Sequence, residues 1–478
     1  MSGAHDHNHH FIGGRLQRAN SCERLDVINP ATEEVFGSIV DGDAADVDAA
    51  VRAARDAGSG WAQTDPTERG RLLRALADAF EARGEEISAL VTKENGTPIS
   101  VSRAMQSQVP LNYRYFATLA EQLEPEEVRA TMTGDAVITR EPLGVVGAIT
   151  PWNGPQPLTA WKLGPALAAG CTAVVKPAPD TSLDAFLFAE VVQQAGLPPG
   201  TVNIVTGARE TGALLVSHPD VRKVAFTGSV RAGRAIGASC GRDLKHVTLE
   251  LGGKAAGILL DDVDLAAFAP FVRTALTPNT GQTCRALSRI LAPRARYDEI
   301  VAMLADTMTK TPLGDPENPQ TFYGPLANAA QLERVLSYLE IGKQEGAEVI
   351  VGGGRPAGFE RGYYVEPTLF GNVTNDMRIA REEIFGPVVV VMPYDSIDEA
   401  VDIANDTEYG LGGGVFSADK DKATDVARRI VSGTVGVNNA SFPMDAPFGG
   451  MKNSGLGREL GPRALDAYLE YKTVFRAG

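Results

Sequence analysis

Three residues could do chemistry together if the fold gathers them. They are Cys284 in Gly281-Gln282-Thr283-Cys284, Glu250 at the end of an apolar run before Gly252-Gly253, and Asn153 after Pro151-Trp152. A thiolate attacks electrophilic carbon, but a free thiol titrates near pH 8.5 and needs a base or local dipoles to activate it. A carboxylate in apolar surroundings has a raised pKa, which suits a general base near neutrality. Asn153 lies just after the strand pattern at 145–150, at the carboxyl end where α/β sheets place active sites. Each residue also has a plainer reading: a buried structural thiol, a capping or salt-bridged carboxylate, a turn residue. Of six histidines, four (His5, His7, His9, His10) fall in the first ten residues, leaving His218 and His246 in the body. A Cys-His or Ser-His engine and a histidine zinc site are therefore disfavoured, and no metal is expected. The N-terminal histidines read as a loose leader.

The elements that must position these residues follow from periodicity. Strand signals at 11–12 and 35–40 precede helical patterns at 43–58, 66–83, 85–97 and 100–123. The polar segment 125–142 suits a hairpin arm. From residue 145 short apolar strands alternate with helices: strands at 145–150, 173–175, 202–205 and 221–226, helices at 158–169, 182–195, 210–217 and from 232. That alternation predicts an α/β fold with a parallel, doubly wound sheet. A second α/β block begins after Gly252-Gly253-Lys254, with strands at 257–260, 286–291, 349–351 and 388–391 and helices at 332–345 and 397–405.

Charge excludes some partners. Lys and Arg number 45 against 60 Asp and Glu, a net charge of −15, and no basic run stands out, so nucleic acid and anionic lipid are poor partners. The longest apolar run, 163–175, is closed by Lys162 and Lys176 and is shorter than the roughly 20 residues of a membrane span. Four dispersed cysteines suggest a reduced, cytoplasmic setting.

For a nucleotide, Gly352-Gly353-Gly354-Arg355-Pro356-Ala357 matches the dinucleotide fingerprint formally, but Gly358 and Gly362 interrupt any helix after it, so a turn is the better reading. A better placed loop runs from Phe226 to Arg234. Gly228 and Gly233 would let backbone approach a ligand, and the helix start at Ser229 would present free N–H groups to a phosphate.

Six segments now converge: Pro151-Trp152-Asn153, Val175-Lys176-Pro177-Ala178, Leu249-Glu250-Leu251-Gly252-Gly253-Lys254, Gly281-Gln282-Thr283-Cys284, Glu382-Glu383-Ile384-Phe385-Gly386-Pro387 and Pro447-Phe448-Gly449-Gly450. In this order they resemble the NAD(P)-dependent aldehyde dehydrogenase superfamily, from about residue 11 to the C-terminus. The resemblance implies that Cys284 is the nucleophile, Glu250 activates the hydrolytic water, and Asn153 with the Cys284 N–H forms the oxyanion hole. It places Trp152, Lys176, Gly228, Ser229, Gly233, Leu251, Glu383 and Phe385 around NAD, with Glu459 as an assistant in proton movement. The substrate would be a small-molecule aldehyde, oxidised to the acid through a cysteine thioester. At Pro179 many NAD-preferring relatives carry an acid; proline neither repels nor attracts a 2′-phosphate, so NAD is favoured and NADP stays open. Arg285 either anchors a substrate carboxylate or is a surface or interface arginine.

The resemblance also implies a Rossmann-like cofactor-binding domain at 1–123 and 143–252, an α/β catalytic domain at 253–463, and a small β oligomerisation arm at 124–142 and 464–478 that would build a homodimer or homotetramer. Two other activities share the motifs: a coenzyme-A-acylating semialdehyde dehydrogenase, against which Glu250 argues, and a thioesterase or esterase without redox.

Overall fold

The computed structural model describes residues 5–439 and 443–477. Two large sheets dominate. The first has eight strands, and its parallel core runs, side by side, His246–Glu250, Val221–Thr227, Val145–Ile149, Thr172–Lys176 and Val202–Ile204. Val145–Ile149 and Thr172–Lys176 are buried along their whole length, as parallel strands covered by helices on both faces must be. Strand order reverses at Val145–Ile149: the chain first builds outward to one side, then returns to add Val221–Thr227 and His246–Glu250 on the other. In open α/β sheets the crevice beside such a reversal, at the carboxyl ends of the strands, is where ligands bind.

The chain crosses from His246–Glu250 to the second sheet through residues 251–255 alone and starts it with Ala256–Leu259. Parallel neighbours include Arg289–Pro293, Thr368–Gly371, Val388–Tyr394, Gly412–Phe416 and Thr434–Val437. The short crossing sets the carboxyl edge of the first sheet against the amino edge of the second. Gly455–Leu456, which the sequence reading assigns to the second unit, returns to pair with His246–Glu250 in the first. Gly134–Pro142 lies between Glu126–Thr131 and Leu469–Ala477 in a three-stranded sheet, so the hairpin arm and the C-terminal segment join within one chain.

Two expectations need correcting. The stretch 100–123 is two helices, Ile99–Gln106 and Gln108–Glu121. Pro110 has no N–H, so it is tolerated only in a helix's first turn, and the chain restarts a helix just ahead of it. The histidine segment is not a loose leader over residues 5–12. His9–Ile12 is a strand of the first sheet, His10 is buried with Nε2 3.5 Å from Asp46, and His7 stacks on Phe186 with ring centres 3.8 Å apart. Burial holds the His7 pKa down to about 4. Among the described residues no helix is long and apolar enough to cross a membrane.

Candidate functional site

The sheet order alone brings most of the sequence-predicted residues to one edge. Lys176 ends one strand, Trp152 and Asn153 follow the next, Gly228 and Ser229 follow the third, and Glu250 and Leu251 close the fourth. Asn153 and Gly228 thus flank the strand reversal.

Cys284 lies on the facing edge, in the loop before Arg289–Pro293, and is half-buried. Asn279, Thr280 and Gly281 hold positive φ values of 51°, 55° and 74°. Such a run is strained for the two non-glycine residues and must be held by its surroundings. The surroundings do hold it. A Cβ on Gly281 would lie 2.0 Å from the Gly386 carbonyl oxygen, and one on Gly253 would lie 2.3 Å from that of Cys284. Both positions admit only glycine, because backbone passes directly against backbone. The buried Gln282 side chain accepts from Ala327 N–H at 2.9 Å.

Asn153 is tied to this loop from across the cleft. Its Nδ2 donates to the Gln282 carbonyl at 3.0 Å, and Asn279 Nδ2 donates to the Asn153 carbonyl at 3.2 Å. Asn95 Nδ2 donates to the Trp152 carbonyl at 3.0 Å. One Asn153 N–H is spent on Gln282, and an amide carries a second.

Glu250 is 4% exposed, and neither carboxylate oxygen has a hydrogen-bond partner among the described residues. Burial, and then the neighbouring Glu459, push its pKa well above the usual carboxylate range. Cys284 is pushed up to about 12, first by burial and then by Glu383 and Glu250. The resting thiol is therefore protonated. Behind Glu250 lies a buried chain that sequence reasoning left incomplete. Lys162 Nζ sits 2.7 Å from Glu459 Oε1 and donates to Thr227 Oγ1 at 2.6 Å. One signal was present: Lys162 is the one charged residue in the helix Pro155–Ala169. Cys284 and Trp161 pack against the buried cluster Leu411, Phe448 and Leu460, with Trp161 and Phe448 edge to face at 5.2 Å.

On the cofactor side, Ser229 caps the helix Val230–Arg242 by accepting from Ala232 N–H at 3.3 Å, and its exposed start faces the crevice edge. A Cβ on Gly233 would strike Leu251, and one on Gly228 would strike the Phe226 ring. Lys176 Nζ donates to the Pro177 and Gly207 carbonyls, both at 2.8 Å, and burial lowers its pKa to about 8. Glu383 Oε1 accepts from Gly253 N–H at 2.9 Å, and burial raises its pKa to about 7. Phe385, with φ of 65°, meets Trp152 edge to face at 5.3 Å. Gln331 Nε2 holds the carbonyls of Ile384 and Phe385 at 3.1 and 2.7 Å. Pro179 opens a tight turn, and Asp180 beside it accepts from Asn328 Nδ2 at 3.1 Å. Thr150 Oγ1, buried at the same edge, has no partner among the described residues. An open helix start, a buried cation, a carboxylate and an unpartnered hydroxyl around a strand reversal suit a dinucleotide's phosphates and riboses. Arg285 lines a cavity of about 240 Å³ with Ala275, Thr434 and Asn439, whose described walls do not include Cys284.

Comparison with known proteins identifies the family. The model of the aldehyde dehydrogenase family matches residues 17–474, and the chain belongs to that family. It is 48% identical to the geranial dehydrogenase of Castellaniella defragrans, over 99% of each chain. It is 43% identical to a 3-succinoylsemialdehyde-pyridine dehydrogenase of a Pseudomonas species, over 98% of each. An aldehyde dehydrogenase of Mycobacterium tuberculosis complexed with NAD+ superposes with a TM-score of 0.97 at 42% identity, over 99% of each chain. A mutant of aldehyde dehydrogenase C from Pseudomonas syringae, complexed with NAD+ and octanal, gives 0.95 at 42% identity, over 98% of this chain and 96% of that one.

Proposed function

We propose that this aldehyde dehydrogenase oxidises apolar aldehydes to carboxylic acids with NAD, using Cys284, Asn153 and Glu250. The observation that carries the reading is the packing of Cys284, with Trp161, against the buried apolar cluster Leu411, Phe448 and Leu460, with the Asn153 amide tied to its loop. The Cys284 thiol gives its proton to water as its sulfur adds to the aldehyde carbon, giving a thiohemiacetal. The free Asn153 N–H and the Cys284 backbone N–H stabilise the oxyanion. Bound NAD would accept the hydride whose loss converts that adduct to a thioester. Glu250 then takes a proton from water, the hydroxide adds to the thioester, and the acid leaves as the thiolate re-forms. Lys162 and Glu459, paired behind Glu250, stand where a proton leaving it would go. Trp152, Lys176, Gly228, Ser229, Gly233, Leu251, Glu383 and Phe385 would hold the cofactor.

Residues 1–123 and 143–252 would form the cofactor-binding part, 253–463 the catalytic part, and 124–142 with 464–478 the oligomerisation element. Val128, Tyr471, Val474 and Phe475 on that element are exposed, Phe475 at 76%, which supports burial against a second copy in a homodimer or homotetramer. All four cysteines are free thiols, which supports a cytoplasmic setting.

A screen of NADH formation tests the substrate class. Octanal and geranial should exceed carboxylated aldehydes of similar length in kcat/KM by about tenfold or more. Equal or reversed values would shift the reading toward Arg285 as a carboxylate anchor.

A further inference from the structure

One face of the first sheet carries a buried polar column that the cycle above uses only in part. In the register of the two strands Lys223 lies opposite His246, Ala225 opposite Thr248 and Thr227 opposite Glu250, so these side chains share a face. Lys162 meets Thr227 from above and pairs with Glu459. Lys223 stands further down the column, 1% exposed. Its Nζ donates to Thr248 Oγ1 at 2.8 Å and lies 4.7 Å from the centre of the Tyr468 ring. Tyr468 OH and Glu459 Oε2 are buried without partners among the described residues. At the outer end, His246 Nε2 pairs with Glu470 Oε1 at 2.7 Å.

An ammonium in such a place is expensive unless it answers a charge. The column's two buried carboxylates, Glu250 and Glu459, have Lys162 as their near buried cation, with the partly exposed Arg458 acting on Glu250 from the loop above. We propose that Lys223 is the second buried cation of the proton path, a positioning residue that favours the ionised state of the Glu250–Glu459 pair so that Glu250 can take a proton from the deacylating water.

The inference rests on the reading of Glu250 as the base. The charged and titratable groups around the column are Lys162 from Pro155–Ala169, Cys171 beside Tyr468, Cys240 from Val230–Arg242, Arg458 and Glu459 from the loop above, and Tyr468 and His246 at the far end. Burial lowers the Lys223 pKa to about 8, so it still carries its charge at neutral pH. The sign follows: a nearby cation favours the ionised carboxylate, so its loss moves the acid limb of turnover to higher pH.

The test uses the full-length protein hydrolysing p-nitrophenyl acetate without NAD. There Cys284 displaces p-nitrophenolate to form an acetyl thioester, and Glu250-activated water releases acetate. Lys223→Met should move the acid limb of steady-state turnover up by about one pH unit, while the first-turnover release of p-nitrophenolate stays within about twofold of wild type. Thr248→Val, which removes the hydroxyl that seats Nζ, should shift it the same way by less. Tyr468→Phe, which keeps the ring, should leave it in place. If Lys223→Met does not fold, the Thr248→Val limb decides. An unmoved limb, or equal losses in both phases, overturns the proposal. A wild type that hydrolyses the ester but forms no NADH from any aldehyde would instead overturn the functional reading.

Discussion

On the first-sheet side of the cleft, Lys176 and Glu250 end buried parallel strands, and Asn153 and Gly228 follow closely after theirs. On the second-sheet side, Cys284 and Glu383 ride on loops ahead of the strands Arg289–Pro293 and Val388–Tyr394. The strand-end residues are placed by ladders of backbone hydrogen bonds. The loop residues are placed by backbone pressed on backbone, at Gly253 against Cys284 and Gly281 against Gly386, and by Gln331 clasping the Ile384 and Phe385 carbonyls. The two sides therefore fail differently. A strand-end residue can lose its side chain while the frame stays, and the effect falls on the chemistry. A loop glycine cannot gain a methyl group without moving the nucleophile.

Asn153→Ala is the sharpest break on the strand side. Loss of one oxyanion donor should lower kcat about 10²–10³-fold and leave the cofactor Kd near wild type, read by NADH formation and fluorescence titration. An unchanged kcat would remove Asn153 from the oxyanion hole. Gly281→Ala is the corresponding break on the loop side. The clash with Gly386 and the positive φ should lower activity by about tenfold or more and reduce Tm by several degrees. Gly237→Ala gives the contrast with the smallest effect. It sits inside Val230–Arg242, where a Cβ would meet Leu249 at an ordinary 3.5 Å, so it should stabilise the protein by about 0.5–1 kcal/mol with activity unchanged. Equal tolerance at Gly281 and Gly237 would erase the distinction between the two sides.

The same distinction explains what could be read from the sequence. Strand-end residues were legible because apolar runs such as Val247-Thr248-Leu249 announce a buried strand, and the residue after such a run stands at the sheet's edge. The strands Gly412–Phe416 and Thr434–Val437 were not, since a Gly-Gly-Gly opening and a half-buried edge carry no clear hydrophobic period. The loop around Cys284 was visible only as a motif, because its positive φ values depend on Gly386 and Gly253, far away in sequence. Lys223 was hidden for the opposite reason. It looks like a surface residue on its own, and only the shared sheet face shows that it stands in a column with Lys162, Glu459 and Glu250.

The division of labour between a loop-borne thiol and a strand-borne base is the central claim, and mass spectrometry of Glu250→Gln tests it most directly. Incubated with NAD and octanal, the variant should accumulate the octanoyl thioester on the peptide containing Cys284, approaching one acyl group per chain, while steady-state NADH formation falls about 10²–10⁴-fold. No adduct on Cys284, or turnover at the wild-type rate, would contradict it.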